Sequence, residues 1–150
     1  MRCSLLVWVL PLLLPGCSAK DAVSLSVRLS SATVTVKNDP FGSSASGTFG
    51  IKLTLGPEAS GPTTVSPESF ALQTLSGQPL VDPLMPTPSV AFPLTVSKGE
   101  SKDVTFTFMG ALVDHDAACA GMLRIQSSFS DTLKGGTDSA PSDPITPDCG

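Results

Sequence analysis

Val23-Ser24-Leu25-Ser26-Val27-Arg28-Leu29, followed by Ala32-Thr33-Val34-Thr35-Val36-Lys37, alternates apolar with polar side chains. Successive side chains of a strand point to opposite faces, so this alternation buries one face and leaves the other in water. The same period returns at Phe49, Ile51, Leu53 and Leu55, whose solvent face carries Gly50, Lys52 and Thr54. It returns again at Phe70-Ala71-Leu72, Leu80-Val81, Leu94 to Val96, Val104 to Phe108 and Met122 to Phe129. Turn formers separate these runs. Asn38-Asp39-Pro40-Phe41-Gly42 and the Ser/Gly-rich stretch Ser43 to Gly47 read as a loop. Gly56-Pro57, Gly61-Pro62 and Ser66-Pro67 make residues 56–69 mostly connection, with Val65 as one buried point. Ser76-Gly77-Gln78 and Lys98-Gly99-Glu100 read as tight turns. No window sustains a 3.6-residue period, which predicts almost no helix. The expected fold class is all-β, a single antiparallel β-sandwich of about seven strands.

Composition agrees. The 150 residues include 14 Pro and 13 Gly, which leaves little room for long helices, and only 15% of the chain is charged. Pro83, Pro86, Pro88 and Pro93 exclude a central strand between them, because each lacks the N–H that a ladder needs. That segment is expected at a sheet edge or across an open end of the domain. The tail from Gly135 to Gly150 is rich in Pro, Asp, Ser and Gly. A net charge of −4, one His, no Tyr and no basic stripe argue against nucleic acid as a partner.

The N-terminus carries one positive charge, Arg2, and then an apolar run from Leu5 to Leu14 broken by Pro11. A spanning helix needs roughly 20 apolar residues, so this run reads as a cleaved export signal. Its end, Leu14-Pro15-Gly16-Cys17, resembles the lipobox of bacterial lipoproteins; Leu14 and Gly16 match the pattern and Pro15 departs from it. The resemblance implies that Cys17 is lipidated and becomes the first mature residue. Fatty chains bury methylenes at roughly 0.8 kcal/mol each, so several of them anchor durably. Ser18 after the lipidated position resembles the residue that permits export to the outer membrane, where Asp would favour inner-membrane retention. Ordinary cleavage after Cys17-Ser18-Ala19 is the other reading of this segment. The expected organisation is a signal over residues 1–16, a lipidated Cys and short tether over 17–22, and one domain over 23–150. The five residues Ser18 to Ala22 span less than ~20 Å, which keeps the domain close to its membrane.

With Cys3 in the signal and Cys17 used for lipid, Cys119 and Cys149 remain as an even pair in a disulfide-permissive compartment. A bridge would close a loop of about 30 residues and stabilise the fold mainly through the unfolded state. Two free thiols are the alternative. A zinc site has too few ligands, since two Cys and one His fall short of four.

Ser66-Pro67-Glu68-Ser69-Phe70-Ala71-Leu72 with Gly77 beyond it, and later Lys98-Gly99-Glu100-Ser101 before Val104-Thr105-Phe106-Thr107-Phe108, resemble the middle strands of immunoglobulin-like domains in bacterial envelope lipoproteins. The resemblance covers about half the chain. It implies an immunoglobulin-like β-sandwich at the cell envelope. The chain departs from antibody-type domains in having no core Trp, since Trp8 lies in the signal. Cys119 and Cys149 also sit too late for the usual inter-sheet bridge, and are expected to pin the C-terminal segment beside the last strand.

Candidate chemistry is sparse. Asp114-His115-Asp116 offers a metal ligand set or a carboxylate-oriented base; a polar loop at one end of the sandwich is the other reading. There is no Ca²⁺ loop of the D-x-[DN]-x-[DN]-G type, no H-E-x-x-H, no G-x-S-x-G and no phosphate loop. Lacking Tyr and mature Trp, the chain leaves Arg28, Arg124 and seven Phe as interface anchors, with Phe41 in a loop as the exposed candidate. The expected role is a non-catalytic structural or interaction module. It would be held to the membrane by an N-terminal lipid, at the outer more than the inner membrane, with an envelope protein as partner and no cofactor. The alternative is a small-ligand or divalent-cation binding domain that uses Asp114, His115 and Asp116.

Overall fold

The computed structural model describes residues 23–150; the expected export signal, the expected lipidated Cys17 and the expected tether lie outside the described residues. Ten strands and a short helix follow in order: β1 (Leu25–Asp39), β2 (Gly42–Leu55), β3 (Thr63–Thr74), β4 (Pro79–Val81), β5 (Thr87–Pro88), β6 (Leu94–Val96), β7 (Ser101–Leu112), α1 (His115–Cys119), β8 (Leu123–Asp131), β9 (Thr137–Pro141) and β10 (Asp148–Cys149). One sheet runs β10-β1-β2-β7-β5, the other β4-β3-β8-β9 with β6 also on β3. Setting aside β10 and β6, these are the A-B-E-D and C′-C-F-G orders of the immunoglobulin fold. All pairings are antiparallel except β10 on β1. The chain is therefore an all-β, immunoglobulin-like sandwich, with ten strands where about seven were expected. The excess is strands that the sequence reading does not assign: β5 and β10, two residues each, and β9, five residues in the tail.

The stretch that sets the fold forms one continuous strand. Leu25 through Ser30 pair with Leu55 through Gly50, the register shifts between Ser30 and Thr33, and pairing resumes to Asp39↔Gly42. Ser31, at φ 50°, occupies the bulge. The slip moves the inward positions from Leu25, Val27 and Leu29 to Val34 and Val36, which keeps both halves on the same core.

Three sequence expectations need correction. Ser43 to Gly47 is strand, not loop: the turn is confined to Pro40 and Phe41, and Ala45 is fully buried. Gly47 is required because a Cβ there would lie 2.1 Å from the Thr33 carbonyl oxygen. Strand β3 starts at Thr63, inside the predicted connection, and tolerates Pro67 because the ladder to β8 is irregular between Pro67 and Ser69. On its other side β3 pairs β6 at Thr63 to Val65 and β4 at Leu72 and Gln73, so Pro67 falls in the gap between them. Third, the tail, to which the sequence reading assigns no strand, contributes β9 and β10.

The proline-rich crossing lies at the edges, as its composition predicts. It leaves β3's edge after β4, touches β7 at Thr87↔Thr107 and Pro88↔Phe106, and returns to β3 as β6. The Asp82–Pro83 and Phe92–Pro93 peptide bonds are cis.

Five phenylalanines bind the two sheets together. Phe49 and Phe106 stack at 5.2 Å within one sheet; Phe70 and Phe129 meet edge to face at 5.7 Å in the other. Phe106 lies 5.0 Å from Phe70 and 6.3 Å from Phe129, and Phe92 from the crossing closes over it at 5.9 Å. On the water face, hydroxyls pair across strands, Thr33 with Thr48 at 3.1 Å and Thr54 with Ser101 at 2.8 Å. The β6–β7 turn is closed by Glu100, whose Oε2 accepts the Ser97 N–H at 2.8 Å. That backbone hydrogen bond holds the Glu100 carboxyl below its usual 4.5, with Lys102 adding a smaller effect.

Phe106→Ala is expected to cost about 3–5 kcal/mol in urea unfolding, as for other large-to-small changes at a fully packed ring. Phe41→Ala should be silent, since that side chain is 101% exposed. A folded-state carboxyl pKa that lies below the unfolded value stabilises above the unfolded pKa and loses that effect as pH falls through the folded one. The Ser97 amide should therefore lose hydrogen-exchange protection on acidification below pH about 4.5, and Glu100→Gln should flatten that dependence.

Candidate functional site

The register gives the sandwich two distinct ends. Leu25, Leu55, Ser101 and Thr63 lie together where β1 begins. Asp39, Ser44, Leu112 and Thr74 lie at the other end, which also carries α1. At about 3.3 Å per residue, the 15 residues of β1 separate the ends by roughly 50 Å.

The acidic loop sits at the far end, where its three candidates diverge. Asp114 caps α1, its Oδ1 accepting the Ala117 N–H at 2.8 Å, so that carboxylate is engaged with backbone. The Asp116 side chain is fully exposed, 3.5 Å from His115 Nδ1. The other imidazole nitrogen, Nε2, lies 3.8 Å from Cys119 Sγ. Among the described residues, no group of three or more His, Cys, Asp or Glu is placed to hold a metal ion. The buried acid of the domain is elsewhere: Asp131 Oδ1 accepts from Thr63 Oγ1 at 3.2 Å and from the Leu133 and Lys134 N–H groups at 2.9 Å, organising the β8–β9 turn.

Cys119 and Cys149 form the disulfide, with Cα atoms 6.2 Å apart. Its partner strand differs from expectation. The tail does run beside β8, where Ile145 and Leu123 exchange N–H···O bonds at 2.8 Å, but Cys149 itself crosses to the other sheet and pairs with Val36. The bridge thus joins α1 to β10, which lies parallel on the outer edge of β1; the Gly150 N–H donates to the Val36 carbonyl at 3.1 Å. The physical reason is Ile145, which buries its side chain beside Leu123 and so brings the tail to the rim of the core.

The far end also carries most of the exposed large apolar side chains. Phe41 stands free on the β1–β2 turn, so the expectation of an exposed anchor there holds geometrically. Leu75 and Met122 flank a depression beside α1. Met85, Met109 and Leu112, 81%, 83% and 79% exposed, rim a groove of about 510 Å³ between β7 and the start of the proline-rich crossing.

Backbone geometry places these last side chains. β7 alternates through Val104, Phe106 and Phe108, and then its register on β2 shifts between Gly47↔Phe108 and Ala45↔Ala111. Gly110, at φ 67°, lies in the shift, a conformation that favours glycine. Ala111 is returned to the core side next to Ala45, and Leu112 is put on the water face next to Ser44. Sequence reading ends that strand at Phe108 and misses Met109 and Leu112. The available signal was that alternation stops while the residues stay uncharged, from Phe108 to Leu112.

No protein-family model and no curated protein matches this chain. Among solved structures it is similar to self-complemented MyfA, the major subunit of Myf fimbriae from Yersinia enterocolitica, at 14% identity over 81% of this chain and 98% of that one, with a TM-score of 0.34. At that score the fold rests on strand order and register.

Cys149→Ser should lower stability by about 2–4 kcal/mol in non-reducing denaturant titration. Hydrogen exchange should show the loss first in β10 and at the Gly150 amide, with β8 and its Ile145 contact retained.

Proposed function

We propose that the chain is a lipid-anchored protein of the cell envelope whose sandwich serves as a non-catalytic interaction module. The observation that carries this is the separation of ends. The strand that follows the tether starts at one end, and the exposed apolar side chains Phe41, Leu75, Met85, Met109, Leu112 and Met122 gather toward the other. Isolated surface apolar residues are ordinary, whereas a group of them at one end is the signature of contact with another molecule. A domain lipidated at Cys17 and tethered by five residues would hold its near end against the membrane and present these side chains roughly 50 Å out. Gly16 before Cys17 and Ser18 after it support processing and outer-membrane sorting. No helix among the described residues is long and apolar enough to cross a membrane.

Lysate from the producing bacterium, separated on a density gradient, should place the chain with outer-membrane vesicles. Cys17→Ser should move it to the soluble periplasmic fraction, and Ser18→Asp should move it toward the inner membrane. A Cys17→Ser chain that still sediments with membranes would remove the anchor.

A further inference from the structure

The groove at the far end lies along an unfilled sheet edge. β5 covers only Phe106 and Thr107 of β7, and Ser89 extends that contact through its N–H to the Thr105 carbonyl at 2.7 Å. Upstream of β5 the chain leaves the sheet, because the Leu84 N–H donates to the Phe70 carbonyl of the opposite sheet at 2.8 Å. Phe108 to Leu112 therefore has β2 on one side and, among the described residues, no strand on the other. Natural edges are usually blunted by charge, often Lys. This one has none from Phe108 to Leu112, and its floor is apolar, with Phe108 and Leu84 both buried. Asp82 is the one ionisable residue lining the groove. Asp39, Asp114 and Asp116 lie at the same end, against Lys37.

We propose that Phe108 to Leu112 and the adjoining groove accept an extended, basic-flanked apolar segment of a partner protein, which pairs with β7 as an added strand. Main-chain hydrogen bonds to the edge supply affinity, and alternate side chains of the segment enter the groove beside Leu84 and Phe108. Charge decides the occupant. A second copy would bring its own Asp82 and acidic surroundings to the same place, in a chain whose net charge is already −4, whereas a Lys- or Arg-bearing segment pairs with Asp82. The inference rests on reading the chain as an interaction module and is independent of the lipid at Cys17.

The test selects from a phage-displayed library of random 12-residue peptides on the purified Cys17→Ser chain, with Met109→Lys/Leu112→Lys as the counter-target. Both substituted side chains are exposed, so the variant should keep the wild-type circular dichroism spectrum. Enriched peptides should carry apolar residues at alternate positions and at least one Lys or Arg. A synthetic copy should lose about tenfold or more in affinity when the amides of one edge are N-methylated, as strand pairing requires. Asp82→Asn should weaken it severalfold, more at low salt than at high. Three results would overturn the proposal: no enrichment over the counter-target, binding indifferent to N-methylation, or a wild-type dimer that the two lysines dissociate. The first two leave the membrane-fractionation result standing, and loss of the anchor leaves peptide binding standing.

Discussion

Phe106 touches four other rings: Phe49 on its own sheet, Phe70 and Phe129 on the opposite one, and Phe92 from the crossing between them. Antibody-type domains centre their core on a strand C Trp packed on an inter-sheet disulfide. Here the one Trp, Trp8, lies outside the described residues and the bridge among the described residues lies at one end, so aromatic packing takes the central place among the aliphatic side chains that join the two layers. Four of the rings sit on β2, β3, β7 and β8, strands with neighbours on both sides. Edge-to-face and offset contacts of this kind add about 0.5–1.5 kcal/mol per pair beyond the area they bury. Because the cluster includes Phe92, it also fastens the proline-rich crossing, whose own ladder contacts are few.

The rest of the architecture is a treatment of edges. One sheet ends in β10 and β5, two residues each; the other ends in β9 and the pair β4 and β6. Short edges limit unwanted pairing, and the prolines of the crossing limit it further. With only 15% charged residues, the water faces rely on hydroxyls, and Thr33, Thr48, Thr54 and Ser101 satisfy one another across strands instead of repelling or pairing ions. Against this background the uncharged edge of β7 from Phe108 to Leu112, unpaired among the described residues, stands apart.

Much of the fold was legible because alternation reports burial directly: Phe49 to Leu55, Val104 to Phe108 and Leu123 to Phe129 are strands whose inward residues are those the period selects. What was misread depends on partners distant in sequence. Ser43 to Gly47 has loop composition, yet Gly47 is there because Thr33 passes too close for a side chain. Pro67 looks like a terminator until β6 and β4 are seen to leave it a gap. The Cys119–Cys149 pairing could be read from arithmetic, but its strand could not, because Ile145 steers the tail through contacts no local pattern encodes. For the far end, Phe41 was visible as a loop aromatic, while Met109 and Leu112 become exposed only through the register shift at Gly110.

The disposition of β1 has a mechanical meaning. It pairs with β2 along nearly its whole length, β2 pairs with β7 along most of its own, and the two ends of this array are Leu25 and Leu112. Tension applied between those ends acts along the strands, so both ladders are loaded in shear and their hydrogen bonds share the force instead of opening one after another. The disulfide reinforces the same region, since Cys149 staples β10 beside Val36 and ties it to the helix that follows β7. A domain built this way transmits a pull from one end to the other as a rod does, with the bulge at Ser31 as the one place along β1 where the ladder is interrupted.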